Sequence, residues 1–77
     1  MELKQILTDI ARAIVDTPDA VVVEENIDGD NVELILTVSE DDTGMVIGRH
    51  GKIAKAIRQV MKAAANTCGK HVTVEIK

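Results

Sequence analysis

The apolar period switches repeatedly along this chain, and the order of those switches constrains the fold more than any other feature. Leu3, Ile6, Leu7, Ile10 and Ile14 recur at helical spacing, with Glu2, Lys4, Gln5, Asp9 and Arg12 between them. That pattern predicts an amphipathic helix of about fourteen residues. The stretch "DTPDA" closes it, because Pro18 cannot continue a helix and biases Thr17 away from helical angles. The period then drops to two. "AVVVEENI" predicts a strand with Val21, Val23 and Ile27 on one face, and "DGDN" (Asp28 to Asn31) predicts a turn. "VELILTVS" alternates cleanly, with Val32, Leu34, Leu36 and Val38 on one face and Glu33, Thr37 and Ser39 on the other. The two strands should pair as a hairpin with an acidic, solvated exterior.

Ser39, Asp41 or Asp42 is placed to cap the free N–H groups of a short helix that has room for barely two turns before Gly48. The helical period returns from Lys52 to about Ala65. On a wheel of about 100° per residue, Ile53, Ile57, Val60 and Ala64 fall on the expected core side, with Lys55, Arg58 and Lys62 opposite. Gly69 suits the terminus of this helix. "HVTVEIK" closes the chain as a strand with Val72, Val74 and Ile76 inward. The order α-β-β-α-α-β predicts an α+β fold, a three-stranded sheet with three helices on one face, which buries every apolar stripe.

At 77 residues the chain is one domain, residues 1–77, with a thin stability margin. It contains no Phe, Tyr or Trp, which disfavours nucleic-acid modules built on aromatic stacking platforms. No apolar run approaches the ~20 residues of a membrane span. The N-terminus lacks the pattern of a signal peptide. A single cysteine, Cys68, fits a reducing compartment. The expectation is a cytoplasmic protein. Net charge is −4, unevenly placed: residues 1–42 carry twelve acids and two bases, and residues 43–77 seven bases and one acid. Such asymmetry marks one working face.

That basic half holds "MVIGRHGKIAK", Met45 to Lys55. A Gly-x-x-Gly turn between two helices admits positive φ and lets another backbone come close. It opens a helix whose first N–H groups are unpaired and carry the positive end of the dipole. Arg49 and His50 point outward from it, and Lys52 adds a further cation. Such a site suits a phosphate. Val46 and Ile53 stand where a Walker A loop needs Gly and Ser/Thr, and Val46 also breaks a G-x-G-x-x-G fingerprint. His50 is expected to contact phosphate rather than to act as a base, since no partner adjoins it in sequence and an exposed loop is a poor place to tune one. Cys68 and His71 lack the further ligands that a zinc site needs. No cofactor or metal is expected, and no paired carboxylates or nucleophile set points to an enzyme.

"VIGRHGKIAKAI" closely resembles the V-I-G-x-x-G signature of KH domains, which bind single-stranded RNA, and the element order resembles their type II arrangement. The likeness covers essentially the whole chain, and its small stand-alone form is similar to bacterial KH-domain RNA-binding proteins of the KhpA type. The resemblance implies that Gly48, Arg49, His50 and Gly51 hold the sugar–phosphate backbone. Val46, Ile47 and Ala54 would border a shallow groove for about four nucleotides, with Lys52 and Lys55 adding charge. Many KH domains carry a large aliphatic residue where Ala54 falls. The connection from Asn66 to Lys70 is short, which would leave one groove wall low.

The later half of the last long helix is apolar over an arc wider than one sheet contact requires. That arc makes Val60, Met61 and Ala64 a candidate dimer surface, and the resemblance implies homodimers or pairing to a larger KH-containing protein. It further implies RNA chaperoning or post-transcriptional regulation. The rival reading is a protein–protein adaptor on the same fold, with weak or no RNA binding.

Overall fold

A computed structural model of the chain describes residues 2–77. Helix α1 spans Leu3–Ile14, strand β1 Val22–Asp28, β2 Asn31–Thr37, helix α2 Thr43–Ile47, α3 Lys52–Thr67 and β3 His71–Ile76, with short 3-10 turns before β1, before α2 and before α3. The order and the three-strand sheet match the type II arrangement expected above. In α1 the stripe of Leu3, Leu7 and Ala11 is buried, and Ile6, Ile10 and Ile14 are half-buried beside it. The helix ends at Val15, three residues before the proline, where the Val15 N–H donates to the Ala11 carbonyl at 3.1 Å.

β2 is the middle strand. It pairs antiparallel with β1 through a two-residue turn at Gly29 and Asp30, and parallel with β3. A parallel pair requires a crossover connection, which α2 and α3 supply. The alternation in β2 sets the register on both sides: Val23, Leu36 and Ile76 lie abreast, as do Leu34 and Val74. Val32, Leu34, Leu36 and Val38 are all buried. α1 packs on β1 and β2, and α3 on β3. The opposite sheet face carries Glu24, Glu33 and Glu75, with Asn26 donating to the Glu33 carboxylate at 3.2 Å.

Three expectations need correction. Ile27 shares the inward parity of Val23, yet it is 63% exposed. It lies at the hairpin end of β1, beyond the cover of the helices. Asp42 does not cap α2 with its side chain. It is buried at 3% exposure, and its Oδ2 accepts the N–H of Thr17 at 2.9 Å. The carboxylate thereby ties the start of α2 to the α1–β1 connection. In α3 the buried stripe is Ala54, Ile57, Met61 and Ala65. It is rotated by roughly 75° from the stripe expected above, because α3 aims its core face at the sheet and turns Ile53 and Val60 towards α1. Ile53 is 38% and Val60 50% exposed.

Candidate nucleic-acid interface

The Gly-x-x-Gly loop is built from both sides. α2 closes through the Gly48 N–H, which donates to the Gly44 carbonyl at 2.8 Å. Gly48 then adopts φ 74°, ψ 175°, a region essentially reserved for glycine. His50 (φ 57°, ψ 25°) and Gly51 (φ 75°, ψ 15°) follow in left-handed conformation. A left-handed histidine is tolerated but costs about 1–2 kcal/mol, so surrounding structure must hold it. Within the loop the Gly51 N–H donates to the Gly48 carbonyl at 3.2 Å. α3 starts at Lys52, whose N–H donates to the Arg49 carbonyl.

The two glycines do different work. A Cβ on Gly48 would stand 2.6 Å from Cγ1 of Ile53 and 2.9 Å from its Cβ and N, whereas one on Gly51 would meet open space. Close backbone approach is therefore a requirement at Gly48 alone.

Arg49, His50, Lys52 and Lys55 are all exposed. Among the described residues the one ion pair, Lys70–Asp30 at 3.9 Å, lies between the α3–β3 connection and the hairpin. The loop cations thus have no acidic side chain as a partner. No acid occurs between Thr43 and Val74, while Lys52–Thr67 carries four bases. The result is a positive loop at the N-terminus of a sixteen-residue helix, in a chain whose acids lie on and around α1, in the α1–β1 connection, on the β1–β2 hairpin, just before α2 and on β3. Anions are attracted to that end by both terms.

Of the apolar residues expected beside the loop, Ile47 is 39% exposed and can touch a ligand. Val46 cannot in this conformation: its side chain is fully buried in the core, because α2 is so short that it must anchor by one residue. Ala54 is 5% exposed and lies in the first turn of α3. Four residues further, the Arg58 Nε donates to the Val74 carbonyl at 3.3 Å. Arg58 therefore ties α3 to the outer edge of β3 instead of lying on a free solvated face. The α3–β3 connection is short, as expected. The Lys70 N–H reaches the Ala65 carbonyl at 2.9 Å and the Gly69 N–H that of Asn66 at 3.2 Å, a Schellman ending that leaves three residues before β3.

The expected dimer surface divides. Met61 is fully buried and belongs to the core. Ala64 is half-buried against that core, and Val60 is half-exposed. Val60 instead joins Ile10, Ile14, Ile53, Ala56 and Ile57, with Lys52 at the margin, around an apolar cavity of about 430 Å³ between α1 and α3. The sequence pattern placed Ile53 on the core side and Val60 both there and on a dimer surface, without the groove that joins them to α1. The wide apolar arc of α3 was visible in the sequence; the signal left unread was the second apolar row on α1, Ile6, Ile10 and Ile14, beside the buried one.

Among the described residues no helix is long and apolar enough to cross a membrane, and no three His, Cys, Asp or Glu side chains gather as a metal site. A family model described as KhpA/KhpB, KH domain, matches residues 4–76. A protein of Clostridium acetobutylicum named RNA-binding protein KhpA is 50% identical over 74 residues, covering 96% of this chain and 99% of that one. Proteins of the same name are similar at 38% identity in Treponema pallidum (95% of this chain, 91% of that one) and at 34% in Listeria monocytogenes (96% and 97%). Among solved structures, Aquifex aeolicus Era bound to GDP and aluminium fluoride superposes with TM-score 0.69 at 20% identity over 96% of this chain and 29% of its own. Era in complex with a nucleotide analogue and 16S ribosomal RNA superposes at 0.63 and 21%, over 96% and 28%. The Era likeness concerns the fold.

Proposed function

The chain belongs to the KhpA/KhpB KH-domain family, and on that premise we propose that it binds single-stranded RNA without transforming it. The observation that carries this reading is the left-handed Gly48–Gly51 loop at the head of α3, with Arg49, His50, Lys52 and Lys55 exposed around it and free of acidic partners. Phosphates meet the loop and the first turn of α3. Ile47 and the Ala54 turn border the bases, which are held by contact and backbone hydrogen bonds rather than by aromatic stacking. The names of the relatives support RNA as the partner. A cytoplasmic role in RNA chaperoning or post-transcriptional control fits a module of this kind.

A labelled single-stranded RNA titrated at several salt concentrations tests the reading. With three or four phosphate contacts, log K should fall against log salt with a slope of roughly −2 to −3. A duplex of the same sequence should bind more weakly. Absence of binding at low salt sinks the proposal.

The α1–α3 groove favours a second role, self-association or pairing with a larger KH-containing protein. Val60, Ile53 and Ala56 expose an apolar strip that a two-fold contact would cover. Pairing would raise RNA avidity without new RNA contacts. Light scattering is expected to show a concentration-dependent dimer in the wild type and a monomer for Val60→Asp, with the fold retained because Val60 lies outside the buried core. A tight oligomer that ignores RNA would favour the adaptor reading alone.

A further inference from the structure

We infer that Ile53 is a positioning residue for the loop, acting through Gly48; the inference rests on the RNA-binding reading above. Ile53 is large, apolar and 38% exposed, and it stands outside the core cluster. Core packing therefore does not account for it. Besides lining the α1–α3 groove, it meets the loop: its Cγ1 and Cβ occupy the space where any side chain at Gly48 would begin.

The loop needs such a brace. Gly48, His50 and Gly51 all have positive φ, and His50 is strained. Inside the loop one backbone bond of 3.2 Å, at the long end of the useful range, joins Gly51 to Gly48. The Gly48 N–H is held to α2 by the Gly44 carbonyl at 2.8 Å, so the weak link is the one between Gly48 and the head of α3. A β-branched side chain in a helix is stiff, with one strongly preferred χ1 state. Ile53 sits in the first turn of α3, so its branch carries the rigidity of a sixteen-residue helix onto Gly48. The loop and the N–H groups at the head of α3 then move as one body. A phosphate contacting both meets a preformed cradle, and less ordering is lost on binding.

The chemistry of the brace lies in the branch at Cβ, which yields a specific ordering of variants. Ile53→Val keeps both branch atoms. Ile53→Leu keeps volume and apolarity but moves the branch outward. Ile53→Ala removes it. Binding of a fluorescein-labelled single-stranded RNA octamer is measured for each, together with amide resonances of Gly48 to Gly51 and the melting temperature. Ile27→Ala, an exposed apolar residue at the hairpin end of β1, controls for loss of a surface side chain, and light scattering on each variant reports any loss of pairing through the α1–α3 groove.

The expected result is affinity within about 2-fold of wild type for Ile53→Val and a loss of about 5-fold or more for Ile53→Ala and Ile53→Leu. The loop amides should shift or broaden in those two variants, with Tm changed by less than about 4 °C as for other exposed positions. Ile27→Ala should bind RNA as wild type, and Ile53→Ala should bind more weakly even at protein concentrations where light scattering shows the wild type to be monomeric. Wild-type affinity and unchanged loop resonances in Ile53→Ala overturn the positioning role and leave the RNA-binding reading standing. A wild type that fails to bind the octamer overturns that reading, and this inference with it.

Discussion

Gly48→Ala should lower the melting temperature by roughly 12–24 °C, while Gly51→Ala lowers it by about a third as much. The two glycines look equivalent in the sequence, but they meet different physics. At Gly48 two costs combine. The backbone, at φ 74° and ψ 175°, lies where a side chain costs about 1–3 kcal/mol. The added methyl would also stand 2.9 Å from the backbone nitrogen of Ile53. A flexible side chain could step aside from the 2.6 Å approach to Cγ1, but the nitrogen belongs to the helix and cannot. A loss of at least ~3 kcal/mol is expected, and each kcal/mol shifts Tm by about 4–8 °C in a domain of this size. At Gly51 the left-handed backbone remains but the space is open, so only the conformational cost of about 1 kcal/mol applies. Gly51→Asn should cost less again, since asparagine tolerates left-handed angles. Calorimetry of the three variants checks the order. Equal losses for Gly48→Ala and Gly51→Ala would show that the Ile53 contact does not constrain the loop.

The differences between sequence expectation and structure share one cause: periodicity reports which face of an element is apolar but not what covers it. The alternation of β2 was legible because that strand is central and one layer covers all of its inward residues. Ile27 has the same parity on β1, but the helical layer stops short of it. On α3, two apolar rows compete, one facing the sheet and one facing α1. The wheel alone favoured the β-branched pair, Ile53 and Val60, over Ala54 and Met61, and the latter are the buried ones. Ala54 is buried at 5% exposure but stands outside the core cluster that Ile57, Met61 and Ala65 form with the sheet. Asp42 was read as a local cap because local rules are all that sequence spacing offers. Its partner, the Thr17 N–H, is 25 residues away. The Gly-x-x-Gly loop was legible as a motif because its requirements are local: two glycines, cations between and after them, a helix on each side. The Ile53 brace was not, since it depends on a distance between Gly48 and a side chain five residues on.

Replacing Arg49 and His50 together by Asp should weaken RNA binding by about 100-fold or more with little change in Tm. Both side chains are exposed and make no hydrogen bond or ion pair among the described residues, so their removal leaves no core group unsatisfied. Aspartate is also one of the few residues that accepts the left-handed angles of position 50, and the strain there should not rise. Electrostatics changes sharply instead. Two groups that face phosphate become two carboxylates at the positive end of α3. Reversing two contacts, each about 1 kcal/mol or more at effective surface dielectric, gives the stated loss. The salt slope should shrink by roughly 1.4, or about 0.7 for each phosphate contact removed from a single strand. Arg49→Lys, which keeps the charge but not the planar fork, should lose far less. The apolar groove lies between α1 and α3 and includes neither residue, so self-association should persist in the double variant. Light scattering and fluorescence anisotropy on the same sample therefore separate the two roles. A folded double variant that binds RNA within about 3-fold of wild type would show that the loop does not hold the phosphates, and the partner of this fold would then be sought at the groove.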